Sequence, residues 1–335
     1  MYRLLIACAV LCLLAGCSQS ESPLVVLSGS TMGTTWSALV VGEVDEAALQ
    51  SAIEAELLAV NAAMSTYLPD SEISQFNRAP VGEWFPVSAP MVETTRLAAR
   101  LFEDSGGKLD VTVGPLVNLW GFGPTPTDDQ VAPPADEIAA ARARVGMEHV
   151  GIRDDALLRQ SDIYLDLSSI AKGYGVDRMA AIVEAAGASD YLVEIGGELR
   201  GRGVNERGTP WRIAIERPDI GSRAPFETVP LTDMAIATSG DYRNYHEIDG
   251  ERYSHLIDPT TGRPIRNRVA SVTVLAPTCA EADGYATAIS IMGADAGLAM
   301  AEAKELPVFV IIKGVDGFET RYTTPFETIL KVGQP

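Results

Sequence analysis

At 335 residues, 47% hydrophobic and 21% charged, the chain carries enough apolar mass to bury a sizeable core as one large domain or two sub-domains, which excludes a disordered protein. Its 45 acidic against 26 basic side chains give a formal net charge of −19, so the surface repels nucleic acid. Any site for an anionic ligand must therefore bring its own positive charge, from a metal, a lysine or a helix N-terminus.

In chain order, Arg3 precedes an apolar stretch from Leu4 to Leu14, and Leu14-Ala15-Gly16-Cys17 is similar to the lipobox of bacterial lipoproteins. The expectation is that residues 1–16 are removed as a signal peptide and that Cys17 carries the lipid, with Ser18 favouring outer-membrane sorting. The protein would then sit at the bacterial cell membrane, lipid-anchored and facing the periplasm, with 17–23 as a tether. The apolar run falls short of the roughly 20 residues of a stable membrane span, so an uncleaved anchor is the lesser alternative. Cys8 and Cys12 would leave with the signal, and Cys279 would be the one remaining thiol, without a disulfide partner.

Leu24 to Leu27 opens the globular part as an apolar strand. Asp45 is placed to cap a helix whose Ile53, Leu57, Val60 and Met64 form one buried stripe. A second helix follows Ser88-Ala89-Pro90, with Met91, Thr95, Ala98 and Phe102 on one face and Ser105-Gly106-Gly107 as its stop. Gly121 to Pro134, rich in proline, is a loop and a candidate boundary or flap. Strands are predicted at Ile163–Leu167, Tyr191–Ile195, Trp211–Glu216, Val229–Ala237, Ala270–Ala276 and Val308–Ile312. Helices are predicted at Ile170–Ala186, Cys279–Ile291 and Ala294–Lys304. Hairpin-like runs mixed with helices point to an α+β fold with a mixed, largely antiparallel sheet packed with helices, not a doubly wound one.

Three segments could carry chemistry. In Pro277 to Thr287, Thr278 and Glu281 have capping-box spacing, and Asp283 and Thr287 then share one helix face, two hard oxygen ligands of the kind Mg²⁺ accepts. Spacing alone fits a solvated polar face better. In Asp166 to Gly175 a strand passes through a polar turn into a helix whose free amides, dipole and Lys172 suit an anion, although a plain capped helix with an exposed lysine has the same pattern. In Tyr253 to Pro264, His255 lies beside a turn-forming Asp258-Pro259-Thr260-Thr261-Gly262, as an acid/base group or as an ordinary hydrogen-bonded histidine. The glycine-containing stretches Glu194-Ile195-Gly196-Gly197-Glu198 and Ala237-Thr238-Ser239-Gly240-Asp241 would let backbone approach a ligand. Walker, dinucleotide-binding, His-Glu-x-x-His and nucleophile-elbow patterns are absent, the last because Thr31 stands where serine should.

Taken together, an ordered set of six motifs resembles the ApbE family, the FAD:protein FMN transferases: Thr31-Met32-Gly33-Thr34; Met64-Ser65-Thr66-Tyr67 with Pro69 to Ser74; Asp110-Val111-Thr112-Val113-Gly114-Pro115-Leu116; Asp166 to Gly173; His255-Leu256-Ile257-Asp258-Pro259; and Ala282-Asp283 to Thr287. The resemblance runs from about Ser28 to about Ile312 and makes 24–335 a flavin transferase domain. It implies Met32 and Tyr67 as contacts to the flavin or adenine rings, Lys108, Leu109 and Asp110 lining the same cleft, and Asp166, Lys172 and Ile257 as further FAD contacts. It implies Asp283 and Thr287 as Mg²⁺ ligands with backbone oxygens near Ser169 and Ala286, a residue with no side-chain ligand to offer. FAD would be the substrate, AMP the leaving group, and the acceptor a threonine in subunits of membrane redox complexes such as the sodium-pumping NADH:quinone reductase, with His255 or Asp258 as base. An FAD pyrophosphatase and a flavin-binding lipoprotein are the competing functions.

Overall fold

The computed structural model describes residues 22–124, 131–218, 224–240, 245–248 and 250–332; the lipobox and Cys17 lie outside the described residues. Strands β1 (Leu24–Thr31) and β2 (Thr34–Val41) form a hairpin through the two-residue turn Met32-Gly33, whose φ values of 49° and 74° are the left-handed pair that strand twist requires of so short a loop. Helix α1 (Glu46–Met64) begins where the Asp45 side chain accepts from the Ala48 amide, and it buries the stripe Leu49, Ile53, Leu57, Val60 and Met64. Helix α2 (Glu72–Arg78), β3 (Trp84–Pro86) and α3 (Ala89–Asp104) follow, then the short helices α4 (Gly114–Leu119) and α5 (Ala135–Arg142). Strands β4 (Val150–Ile152) and β5 (Ala156–Arg159) join β3 in a small antiparallel sheet.

Helix α6 (Ser168–Ala185) leads to β6 (Tyr191–Ile195), β7 (Glu198–Arg202), the hairpin β8 (Trp211–Glu216) and β9 (Pro225–Leu231), and β10 (Met234–Gly240). The hairpins β11 (Tyr245–Ile248) with β12 (Glu251–Ser254) and β13 (Ile257–Asp258) with β14 (Arg263–Pro264) precede β15 (Val269–Ala276). Helices α7 (Cys279–Met292) and α8 (Ala294–Ala303), strands β16 (Val308–Lys313) and β17 (Phe318–Tyr322), and α9 (Thr324–Val332) complete the chain.

The main sheet runs β1-β2-β6-β7-β10-β15-β16-β17, antiparallel at every step. Its central strands are apolar on both faces, and period-two alternation sends neighbours to different cores. Val308, Val310 and Ile312 of β16 pack with Val272 and Val274 against α7 and α8, while Phe309 and Ile311 join the β8–β9 hairpin and Phe326 of α9 on the other face. Trp36, Ala38, Tyr191, Val193 and Ile195 pack against α1 and α6. The result is an α+β sheet covered by helices on one side and by a hairpin and a helix on the other.

Two expected strands differ. Ile163–Leu167 is buried and extended but is not a strand: the Asn77 side chain takes both polar groups of Leu165, donating to its carbonyl at 2.8 Å and accepting its amide at 2.7 Å. An asparagine amide presents the same donor and acceptor as a neighbouring strand, and beyond it the segment pairs with neighbouring backbone through the Tyr164–Val113 bridge and the Asp166 amide on the Val111 carbonyl. Val229–Ala237 is two strands, because Asp233 with φ 51° turns β9 back into β10.

Candidate functional site

Helices α6 and α7 meet backbone to backbone at Gly173, where a Cβ would stand 2.4 Å from the Cys279 carbonyl oxygen and 2.8 Å from the Ala280 Cα. That closeness is what places the two expected anionic-ligand segments side by side. Asp283 Oδ2 accepts the Gly173 amide at 3.0 Å and faces Lys172 Nζ at 3.6 Å, and the same ammonium lies 3.2 Å from Oε1 of Glu198, the first residue of β7. Asp283 and Glu198 are 5% and 4% exposed. Burial pushes both carboxyls up against the pull of Lys172, Glu198 to about 8, while Asp283 and Glu198 together hold Lys172 protonated despite its own burial.

One ammonium thus faces two buried carboxyl groups, so the second must either hold a proton or be matched by a further cation. Glu198 Oε2 is buried without a hydrogen bond. Thr287, one turn beyond Asp283 on α7, is buried too, and its hydroxyl bonds to none of the described residues. In a regular α-helix the Gly173 amide would close onto the Ser169 carbonyl; here Asp283 claims that amide, so Ser169 oxygen does not have its donor to itself. These oxygens suit a hard cation that keeps substrate phosphates among its ligands, and the described residues hold no cluster of three or more His, Cys, Asp or Glu side chains that could cage an ion alone. The Ala286 carbonyl, mid-helix, accepts the Ser290 hydroxyl at 2.8 Å, which takes up one of its two lone pairs.

Asp166 closes the start of α6, its Oδ1 accepting the Ser168 amide at 2.9 Å and the Ser168 hydroxyl at 2.5 Å. Its charge reaches Tyr67, whose phenol is pushed up by burial and then by Asp166, although the residue is 63% exposed. Tyr67 donates to the Phe122 carbonyl at 3.2 Å. Met32, at the β1–β2 turn, packs toward α6, its Cε 3.0 Å from where a Cβ on Gly175 would be.

The opposite wall is aromatic. Phe122 stacks on His246 with centroids 4.2 Å apart and meets His255 edge-on at 6.4 Å, and Trp120 stacks on Tyr253 at 5.4 Å while donating to the Gly262 carbonyl. Below them Lys108 Nζ bonds Asp258 Oδ2 at 2.8 Å and Thr260 Oγ1 at 2.9 Å. Asp258 Oδ1 accepts the Thr260 amide and hydroxyl, and although burial pushes its carboxyl up, Lys108 and Thr260 hold it below the usual carboxylate range. A carboxylate so engaged is a poor proton acceptor, which weighs against Asp258 as base. Leu109 and Ile257 are core side chains, so only their backbones can face a ligand. Asp110 is inward as well: it ties Thr112 and the Met147 amide, and burial pushes its carboxyl up.

The ApbE family model matches residues 32–311. This chain belongs to the ApbE family. Its relatives include the FAD:protein FMN transferase of Vibrio cholerae serotype O1, 49% identical over 334 residues that cover 98% of this chain and 99% of the relative. Among solved structures, the flavin transferase ApbE from Vibrio cholerae superposes with TM-score 0.87 at 48% identity, covering 92% of this chain and 100% of that one. The apo flavinyl transferase ApbE of Pseudomonas stutzeri superposes with TM-score 0.86 at 39% identity, covering 93% and 98%.

In this ApbE chain three site residues, Glu198, Phe122 and His246, escaped the sequence. Glu198 was visible only as the residue after a glycine pair, and nothing in its spacing says that a turn delivers it to Lys172. The Phe122–His246 stack joins a proline-rich loop to a distant hairpin and has no local signal. Gly173 was quoted in a motif, yet its close approach to Cys279 is a property of packing.

Proposed function

We propose that this chain is an FAD:protein FMN transferase that cleaves the diphosphate of FAD and passes the FMN phosphoryl group to a threonine hydroxyl of an acceptor protein. The observation that carries this is the Lys172–Glu198–Asp283 cluster, whose second buried carboxyl needs a proton or a cation to balance it, at the N-terminal end of α6. The P–O bond to AMP breaks, a P–O bond to the threonine oxygen forms, and the hydroxyl proton leaves to a base. Asp283, Thr287 and the Ser169 carbonyl would hold Mg²⁺. Mg²⁺, when bound, neutralises the diphosphate and the charge that builds on the transferring group.

Lys172 and the Ser169 amide in the first turn of α6 receive the phosphate oxygens, with Asp166 keeping that turn closed through the Ser168 amide. Met32 and Tyr67 flank the rings of the dinucleotide. Lys108, pinned by Asp258 and Thr260, presents its charge at the rim. His255, steadied by Phe122, takes the proton from the acceptor hydroxyl. Lipidation of Cys17 and periplasmic exposure belong to the same proposal, since redox subunits carrying a flavinylated threonine, such as those of the sodium-pumping NADH:quinone reductase, would meet an enzyme tethered to the membrane.

Incubation of the protein with FAD, Mg²⁺ and a threonine-bearing acceptor should give a flavin-fluorescent acceptor band, an FMN adduct on threonine by mass spectrometry, and AMP. D283A should lower the rate by roughly a hundredfold or more, the usual loss for one preorganised electrostatic group. Free FMN and AMP with an unmodified acceptor would make the chain a pyrophosphatase; intact FAD would make it a flavin-binding protein.

A further inference from the structure

We propose that Glu198 is a positioning residue that draws the Lys172 ammonium away from Asp283, so that Asp283 can take a divalent cation while the ammonium stays in reach of the diphosphate. This rests on the transferase reading above and concerns how its metal site is switched on. The difficulty is electrostatic. Lys172 Nζ is 3.6 Å from Asp283 Oδ2, and a divalent ion on that carboxylate would meet an ammonium in a buried, weakly screening setting.

The lysine therefore needs a second acceptor within the swing of its flexible stem. Glu198 supplies one. Its Oε1 already sits at 3.2 Å from Nζ, nearer than Asp283, and its Oε2 is buried with no hydrogen bond, an acceptor left open beside the ammonium. An unmet buried carboxylate oxygen is costly, and a lysine that shifts toward it satisfies it. Glu198 itself is fixed by backbone: it pairs with Ile195 across the Gly196-Gly197 turn, where φ is 60° and 106°. The backbone thus fixes where the side chain starts, and burial at 4% exposure limits how far its carboxylate can follow the lysine.

The full chain titrated with Mn²⁺ alone, with free ion read by its electron paramagnetic resonance signal, tests this without any turnover. E198Q should bind Mn²⁺ roughly tenfold more weakly, the usual effect of losing an outer-shell partner of a metal site. K172M, which removes the competing ammonium, should bind at least as tightly as the wild type, and K172M/E198Q should match K172M within about twofold, because Glu198 acts through Lys172. A plain structural role for Glu198 would not vanish in the K172M background. Wild-type affinity in E198Q overturns the proposal, as does an E198Q penalty that persists in full beside K172M. Should E198Q fail to fold, K172M decides alone: weaker Mn²⁺ binding there overturns the proposal, and equal or tighter binding supports it. D283A separates the two levels. If it binds Mn²⁺ like the wild type, the metal reading falls and this inference with it; if it loses Mn²⁺ while E198Q does not, only the inference falls.

Discussion

Where α6 meets α7, contact is backbone against backbone across Gly173, and the carboxyls of Asp283 and Glu198 are set into a packed interior beside the half-buried Lys172. The aromatic wall is held by rings and by the part-buried Lys108–Asp258 pair, whose carboxylate is more exposed than Asp283 or Glu198, with Tyr67 largely open to solvent. The contrast separates two tasks. Phosphate chemistry needs charges fixed in a low dielectric, where they act most strongly and need no reorganisation. Ring binding and acceptor docking need surface that can be reached. A charge lost from the first wall should therefore stop turnover, whereas on the second wall only the proton acceptor should matter much.

The largest expected effect on the open wall follows from that division. H255A should slow transfer by about 10²–10⁴-fold with FAD still bound, the usual contribution of a positioned base. D258N should change it by less than about fivefold, because a part-exposed pair such as Lys108–Asp258 is worth about 0.2–1 kcal/mol. Acceptor flavinylation followed by fluorescence measures both. Equal losses in the two variants would erase the distinction and return Asp258 to the chemistry.

On the packed wall, G173A tests closeness itself. Its new methyl would sit 2.4 Å from the Cys279 carbonyl oxygen, so α6 and α7 must part. Overpacking of this kind costs about 1–3 kcal/mol, and the melting temperature should drop by several degrees. Flavinylation should fall further than stability explains, since the Gly173 amide orients Asp283. A variant that melts lower yet transfers normally would show that the approach serves folding only.

Local signals were legible. The Asp45 cap with its four-residue stripe gave α1, and the Thr278–Glu281 pair gave the start of α7, where Thr278 Oγ1 accepts the Glu281 amide and donates to its carboxylate. These are contacts within one turn, so sequence contains both partners. Strand order was not legible, because β2 pairs with β6 and β10 with β15 across long loops. The segment 163–167 misled for a related reason: its partner is the Asn77 side chain, not a strand. At the site, Asp283 and Thr287 drew weight from the family resemblance alone, since their spacing is equally that of a wet helix face. What decides between the two is burial, and burial belongs to the α6–α7 packing that Gly173 permits.

The smallest expected effect is a slope with pH in protein freed of metal by chelation. Glu198 faces Lys172 of α6 and Asp283 and Cys279 of α7, and burial pushes its carboxyl up to about 8 from an ordinary 4.5. Between those values the native state binds more protons than the unfolded chain, so stability is greatest at the acid end and is lost as pH rises toward 8. Asp283, also raised, tilts the curve the same way from a lower starting point, while Lys172, held protonated, contributes nothing below the range of ordinary lysine. Calorimetric melting from pH 5 to 8 should therefore show the wild type losing stability relative to E198Q, by an amount on the order of a few kcal/mol at most. On the aromatic wall D258N, which removes a group whose carboxyl is held low, should leave the slope over that range unchanged. Parallel curves for the wild type and E198Q would mean that Glu198 is ionised throughout, and the packed wall would then carry its excess negative charge without the help of a proton.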